Sequence, residues 1–254
     1  MSTIIHQDYS IHVAVPCTPL DLYWTMNETG TADRIDSVHG IGITPTFMSR
    51  MVPVDAPGIH GNSLSAVRIQ GHDGETAHCD MFCGYIPLNP VCVALSGHCL
   101  PFSVVFWFKM SAPSPILTCD ISMYPMVLHF RNTNPQTTLW YYVPSHLYYW
   151  DLDPNFTLLY DSWTFIHLFY DGTNVGFSVN NGPEYTHYPG AVLVGMAFDS
   201  FRIGVSQVSN SSTTFVPVSI DEMAIRVQPR FTATQIAYLY NGGAGRTWPI
   251  VLPP

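Results

Sequence analysis

Short runs of apolar, β-branched and aromatic residues dominate the chain from residue 102 to residue 227. Gly, Pro, Asn and Asp separate these runs, which is the pattern of successive strands. The runs predict strands at 102–110, 116–121, 126–130, 137–143, 163–170, 175–179, 200–205 and 216–227. Asp171-Gly172 and Asn181-Gly182 predict hairpin turns between three of them. Many short strands at this spacing are typical of a sandwich or jelly roll.

A helical pattern stands near the end of the chain, at 231–243. Thr232 and Gln235 have the spacing of a capping box. Ile236 and Leu239 are three residues apart, as in the apolar face of a helix. The run ends in Asn-Gly-Gly, which supplies the left-handed residue that ends a helix. The sequence therefore predicts one short C-terminal helix on a β protein.

The first nineteen residues have a pattern of their own. Residues 9–15 alternate like a strand, and Pro16 and Pro19 separate them from the rest of the chain. We expect residues 1–19 to be an extended arm, either an added edge strand or an intersubunit contact, and residues 20–254 to be one sandwich domain. A length of 254 residues suits a single large β domain.

Several landmarks resemble those of the LamG-like, concanavalin A-like lectin/glucanase jelly-roll family. They occur in the family's order. An opening Trp-acid motif at 22–32 is followed by Asp-Ser-Val-His-Gly at 36–40, by strand motifs at 61–64, 102–109 and 162–172, and by Asp221-Glu222 before the helix. The resemblance implies an all-β, two-sheet antiparallel sandwich. It does not imply one function, since this fold carries lectins, hydrolases, adhesins and structural domains.

Composition bears on partners. Charged residues are 11% of the chain, with Lys109 as its one lysine, against about 25% in a typical soluble domain. Two interpretations remain open, a large core beneath a neutral Ser/Thr/Asn-rich surface, or a surface covered by partner subunits, since interfaces are depleted in Lys and Glu.

The charge balance disfavours two classes of partner. The net charge is −9, and the nine cationic residues are scattered, which argues against nucleic acid and against an anionic membrane surface as partners.

The N-terminus lacks the cationic and apolar regions of a signal peptide. The six cysteines lack the paired C-x2-C spacing of a zinc ribbon and are interpreted as small buried hydrophobic residues.

Catalytic patterns are missing from the sequence. Glucanases of the related fold carry an alternating Glu-x-Asp-x-x-Glu run, and the nearest pattern here is Asp151-Leu-Asp153 with no third acid. No Gly-x-Ser-x-Gly elbow is present. His129 and His167 lie in apolar runs, as core or edge histidines do. We therefore predict that the chain is not an enzyme.

A structural calcium ion is implied by the resemblance. Its ligands would be Asp221, at the family's position on the last strand, and Asp36 near the first, because a hard cation prefers oxygen ligands. The alternative is that Asp221 or Glu222 caps or pairs with Arg226 or Arg34.

The densest aromatic stretch, 140–150, is the candidate binding platform. Its candidate residues are Trp140, Tyr142, Tyr148 and Trp150. Exposed aromatic rings of this kind stack against sugars or partners, whereas the alternative is an aromatic sheet face covered by a loop or a neighbouring subunit.

These features favour a non-enzymatic structural or binding module. The first prediction is a virion component, such as a phage decoration, tail or fibre protein, that forms homo-oligomers or binds other virion proteins. The alternative is a lectin-like module of a bacterial surface protein that binds a cell-surface glycan.

Overall fold

A computed structural model describes most of the predicted strands and the C-terminal region. The described residues are 22–30, 32–38, 40, 42–43, 45–47, 51–68, 81–85, 101–110, 118–123, 126–131, 137–143, 146–151, 161–187, 200–203, 218–227, 229–247 and 249–253. The predicted arm at 1–19 lies outside them, and its role stays a prediction.

The described elements are almost all strands. In chain order they are β1 (Leu22–Trp24), β2 (Arg34–Ile35), β3 (Gly42–Ile43), β4 (Pro45–Phe47), β5 (Met51–Pro57), β6 (Asn62–Arg68), β7 (Met81–Tyr85), β8 (Phe102–Met110), β9 (Thr118–Met123), β10 (Met126–Arg131), β11 (Thr137–Val143), β12 (His146–Asp151), β13 (Thr164–Tyr170), β14 (Val175–Val179), β15 (Tyr185–His187), β16 (Ser200–Ile203) and β17 (Val218–Val227). One α-helix, α1 (Ala233–Tyr240), follows β17 and runs into a single 3-10 turn at Asn241–Gly243.

Two antiparallel sheets form the predicted sandwich. The eight-stranded sheet has the order β15-β14-β13-β8-β17-β6-β5, with β1 also paired to β17. The seven-stranded sheet has the order β12-β11-β10-β9-β16-β7-β4. A separate two-stranded ribbon joins β2 and β3. The predicted all-β fold class with a short C-terminal helix is confirmed.

The strands form where the apolar runs predict them. The bounds of β8, β11 and β14 are those predicted. One turn differs from the prediction, because Asn180 and Asn181, both with positive φ, occupy its centre, and the Gly182 N–H donates to the Val179 carbonyl at 2.8 Å. Two left-handed residues at the centre are the signature of a type I′ turn, and Asn tolerates that conformation.

The central strands of the eight-stranded sheet are buried on both faces. Every residue of β13 is buried, as are residues 102–108 of β8. On one face Trp107 and Phe165 pack with Phe231, Ile236 and Leu239, so that α1 covers this side. We call this side the helix side of the sheet.

Helix α1 is confirmed in detail. The Thr232 hydroxyl accepts a hydrogen bond from the Gln235 N–H, and the Gln235 side chain accepts one from the Thr232 N–H, which completes the capping box. Asn241 ends the helix in the left-handed conformation. No helix among the described residues is long and apolar enough to cross a membrane.

Two tryptophans near the helix side of the sheet differ in burial. Trp107 is 2% exposed and belongs to the cluster beneath α1. Trp163 is only partly buried, since it precedes β13 at the border of that cluster, with the Lys109 ammonium 4.8 Å from the centre of its ring. Trp107 is therefore a core residue, and Trp163 lies at the edge of the core.

Candidate functional site

A bulge in β17 brings two acidic residues to the same side of the sheet. Asp221 is opposite Trp107 of β8, but the next pairing joins Ala224 to Val105, so β17 has one extra residue here. Glu222 takes up the extra length with a φ of 48°. Consecutive residues of a regular strand alternate between faces. The bulge breaks that alternation and leaves both carboxyl groups on the helix side, since Asp221 and Trp107 share a face and Glu222 contacts Tyr23 there.

Asp221 holds a loop of the protein by its backbone. Its Oδ2 accepts hydrogen bonds from the N–H groups of Ile59 at 2.7 Å and His60 at 3.2 Å, and its Oδ1 accepts one from Glu222 at 3.0 Å. A β-carbon at Gly58 would collide with this carboxyl group, which explains the glycine. Burial raises the pKa of Asp221 to about 7, although the three N–H donors act in the opposite direction.

Glu222 forms a hydrogen-bonded chain with Tyr23. The Tyr23 hydroxyl contacts Oε2 of Glu222 and lies 2.8 Å from the carbonyl oxygen of Arg246. Burial, and then the neighbouring Asp221, raise the pKa of Glu222 to about 8, while its hydrogen bond with Tyr23 opposes the shift. Burial and the Glu222 charge also raise the pKa of Tyr23.

The direction of this chain depends on the protonation of Glu222, because a phenol has one proton and cannot donate to a carboxylate and a carbonyl together. The Tyr23 hydroxyl donates to Oε2 of an ionised Glu222; a protonated Glu222 would instead donate to the Tyr23 oxygen, and Tyr23 would donate to the Arg246 carbonyl. In either state Tyr23 links β17 through β1 to the C-terminal tail, whose Ile250 and Leu252 pack on the cluster beneath α1.

Asp36 and Arg34 order the loop that comes after β1. Asp36 is 1% exposed, and its Oδ1 accepts a hydrogen bond from the Tyr23 N–H at 2.6 Å. The buried Arg34 guanidinium donates to the carbonyl oxygens of Gly30, at 3.2 Å, and of Ala32. Both side chains thus replace backbone partners that the irregular loop cannot supply by itself.

The described contacts do not form an oxygen cage for calcium at Asp221. Both of its oxygens face N–H donors, which compete with a cation for the same lone pairs. Within the part of the chain that the structure describes, no three His, Cys, Asp or Glu residues lie close enough to share an ion. Calcium binding by Asp36 and Asp221 stays a prediction, and the observed hydrogen bonds give Asp221 a structural role that needs no ion.

The candidate platform is divided by the strand register. Trp140 is paired with Tyr149 and Tyr142 with Leu147, whereas Trp150 is paired with Leu139. Cross-strand partners belong to one face, and neighbouring residues alternate. Trp140 and Tyr142 therefore belong to one face of the seven-stranded sheet, and Tyr148 and Trp150 to the other. Binding by either pair stays a prediction.

The residues considered for catalysis are not assembled by the described strands. Asp151 ends β12, and Asp153 lies outside the described residues. His167 is fully buried, as expected, with its Nδ1 3.3 Å from the Ser178 hydroxyl. Burial, and then the Arg230 charge, lower the pKa of His167 to about 3, so it is neutral in the fold. The Asp221–Glu222 pair is adjacent, but both residues are buried.

Comparisons with known proteins identify a shared fold. No protein-family model and no characterised protein sequence matches the chain. Among solved structures, domain 4 of AbnA, a GH43 extracellular arabinanase from Geobacillus stearothermophilus, in complex with arabinotriose, is similar, with 16% identity, 89% of this chain and 97% of that chain covered, and a TM-score of 0.56.

Botulinum neurotoxin binding domains are similar as well. The receptor-binding domain of the C/D mosaic serotype is 13% identical over 87% of this chain, with a TM-score of 0.59. The ligand-binding domain of serotype D, in complex with N-acetylneuraminic acid, is 13% identical over 87% of this chain, with a TM-score of 0.58. The match covers 50% of each of these toxin chains. At such identities the likeness establishes the β-sandwich fold.

Proposed function

We propose that this chain is a non-catalytic, glycan-binding β-sandwich module. The observation that carries the proposal is the fold that it shares, over 97% of that domain's length, with the arabinanase domain in complex with arabinotriose. A toxin domain of similar fold is in complex with N-acetylneuraminic acid, and another toxin is described as depending on two ganglioside molecules for cell entry. Membership in the LamG-like family is part of the same proposal and rests on the sequence landmarks.

The described acids favour binding over hydrolysis. Glycosidases need two carboxyl groups on either side of a bound sugar. Here the adjacent pair, Asp221 and Glu222, is committed to backbone N–H groups and to Tyr23, and both residues are buried. This geometry supports a structural role for the pair, and it supports a function in which a glycan is bound but not hydrolysed.

A glycan panel tests the proposal. The intact chain would be screened against neutral oligosaccharides, including arabinotriose, and against acidic glycans, including N-acetylneuraminic acid and gangliosides, with a parallel assay for released reducing ends. We expect saturable binding of at least one glycan with no release of product. Product release that is lost in a single Asp or Glu variant would instead make the chain a hydrolase.

The virion component and the oligomer remain predictions from composition. They rest on 11% charged residues and on the arm at 1–19, and the similar solved structures give them no support. The native mass of the full chain and of a variant lacking residues 2–16 would test the arm. An unchanged mass would remove its role in assembly.

A further inference from the structure

The pairings of the seven-stranded sheet arrange its residues in rows that cross several strands. Directly paired residues belong to one face of a sheet, and residues two apart along a strand belong to that face again. The character of each face can therefore be obtained from the backbone register and the sequence together.

One face has two adjacent rows that are apolar across the sheet. A single row contains Trp150, Leu139, Leu128, Ile121, Ile203 and Met81. The next row of the same face, from Tyr148 through Tyr141 to Phe201, is also apolar or aromatic. A face with this composition is the one that a sandwich buries against its other sheet.

The opposite face is mixed. One of its rows contains Tyr149, Trp140, Val127, Ser122, Arg202 and Phe82. The adjacent row of that face contains Asp151, Thr138, His129 and Asp120. We call these two rows the mixed face. A cross-strand Trp–Tyr pair thus lies beside a continuous row of polar residues.

The spacing of the two rows suits a sugar. Paired residues on neighbouring strands are about 5 Å apart, and rows of one face are about 6.6 Å apart along the strand. A sugar ring presents C–H groups on one side, which favour the electron-rich face of an aromatic ring. Its hydroxyl groups at the rim need hydrogen-bond partners, and carboxylates are the stronger acceptors.

We propose that the mixed face of the seven-stranded sheet is the glycan-binding surface, with Trp140 and Tyr149 beneath a sugar ring and the row from Asp151 to Asp120 bonding its hydroxyl groups. This inference rests on the proposed function, because it locates the glycan site. It retains Trp140 from the sequence-derived platform, assigns Tyr148 and Trp150 to the apolar face, and adds Tyr149; Tyr142 lies one row beyond Trp140 and outside the two rows of the mixed face.

Alanine variants of aromatic residues on the two faces, made in the full chain, test this location. The probe is whichever of arabinotriose and N-acetylneuraminic acid the wild type binds more tightly, measured by titration calorimetry. Trp140→Ala and Tyr149→Ala should weaken binding by roughly tenfold or more, with melting temperatures close to that of the wild type. Trp150→Ala, the matched control on the apolar face, should lower the melting temperature by roughly 10 °C.

The outcomes separate the location from the function. If the wild type binds and both Trp140→Ala and Tyr149→Ala bind equally well, the location is wrong and the proposed function stands. If the wild type binds neither these probes nor any other member of the glycan panel, the location falls with the function. If Trp140→Ala unfolds while Trp150→Ala stays stable, the buried and the glycan-binding faces have been assigned the wrong way round. Asp120→Asn and Asp151→Asn, which keep side-chain size, should each weaken binding without a change in folding, and unchanged affinity in both would also refute the site.

Discussion

Replacing Glu222 by Gln should make the protein more resistant to alkaline pH. Glu222 is 3% exposed, and its pKa is raised from 4.5 to about 8. A carboxyl group whose pKa is higher in the folded than in the unfolded state stabilises the fold fully below the unfolded value. That stability is lost as the pH rises through the folded value, because the unfolded chain releases its proton first.

The magnitude follows from the two pKa values. At about 1.36 kcal/mol per pH unit, the change from 4.5 to about 8 gives a ceiling of about 5 kcal/mol for the stability lost on alkalinisation. Asp221, whose pKa is raised to about 7, adds to the same slope. A glutamine at this position cannot ionise, and its amide N–H can still donate to the Tyr23 oxygen, so the variant should retain only the part of the slope that Asp221 supplies.

Urea unfolding followed by tryptophan fluorescence between pH 5 and pH 9 measures this effect. Wild type and Glu222→Gln should be similar near pH 5, and the variant should be more stable by several kcal/mol near pH 9. Glu184→Gln is the matched control, because Glu184 is exposed and paired with Arg230 at 2.8 Å, and exposed pairs contribute about 0–1 kcal/mol. Parallel curves for wild type and Glu222→Gln would refute the buried, protonated Glu222.

Three further predictions concern the core, acid stability and calcium. Trp107→Ala should cost about 3–5 kcal/mol in urea unfolding, whereas Trp163→Ala, at a partly buried position, should cost less; equal costs would contradict the observed burial. The pKa of His167 is lowered to about 3. Its contribution to the free energy of unfolding is therefore complete above about pH 6.5 and falls as the pH drops toward 3, because the unfolded chain binds the proton first. His167→Gln should lose less stability than the wild type over that pH range, and an unchanged slope would contradict a neutral buried imidazole. Calcium binding by Asp36 and Asp221 predicts that chelator lowers the melting temperature of the wild type but not that of Asp221→Ala; the same melting temperature with and without chelator would leave Asp221 with only its observed hydrogen bonds to N–H groups.

Local signals in the sequence predicted those features that depend on local interactions. The Thr232–Gln235 capping box and the Asn241 stop lie within a few residues of the helix that they bound, so spacing alone identifies them. The strands β8, β11 and β14 follow from apolar runs for the same reason.

Features that depend on strand pairing could not be predicted in this way. The bulge at Glu222 is defined by two residues of β17 opposite one of β8, more than a hundred positions earlier in the chain. Its one available signal is the Asp-Glu pair in an otherwise apolar strand. The faces to which Trp140 and Trp150 belong likewise depend on the register of β11 with β12. The turn between the two strands sets this register, and a shift of one residue would move every residue of a strand to the opposite face.

Titration calorimetry of the intact chain with arabinotriose and with N-acetylneuraminic acid, followed by the same titration of Trp140→Ala, tests the central claim most directly. We predict saturable binding of at least one of the two by the wild type and a loss of roughly tenfold or more in the variant, with both proteins folded by circular dichroism. A folded wild-type chain that binds neither of these glycans nor any other member of the glycan panel would contradict the glycan-binding function.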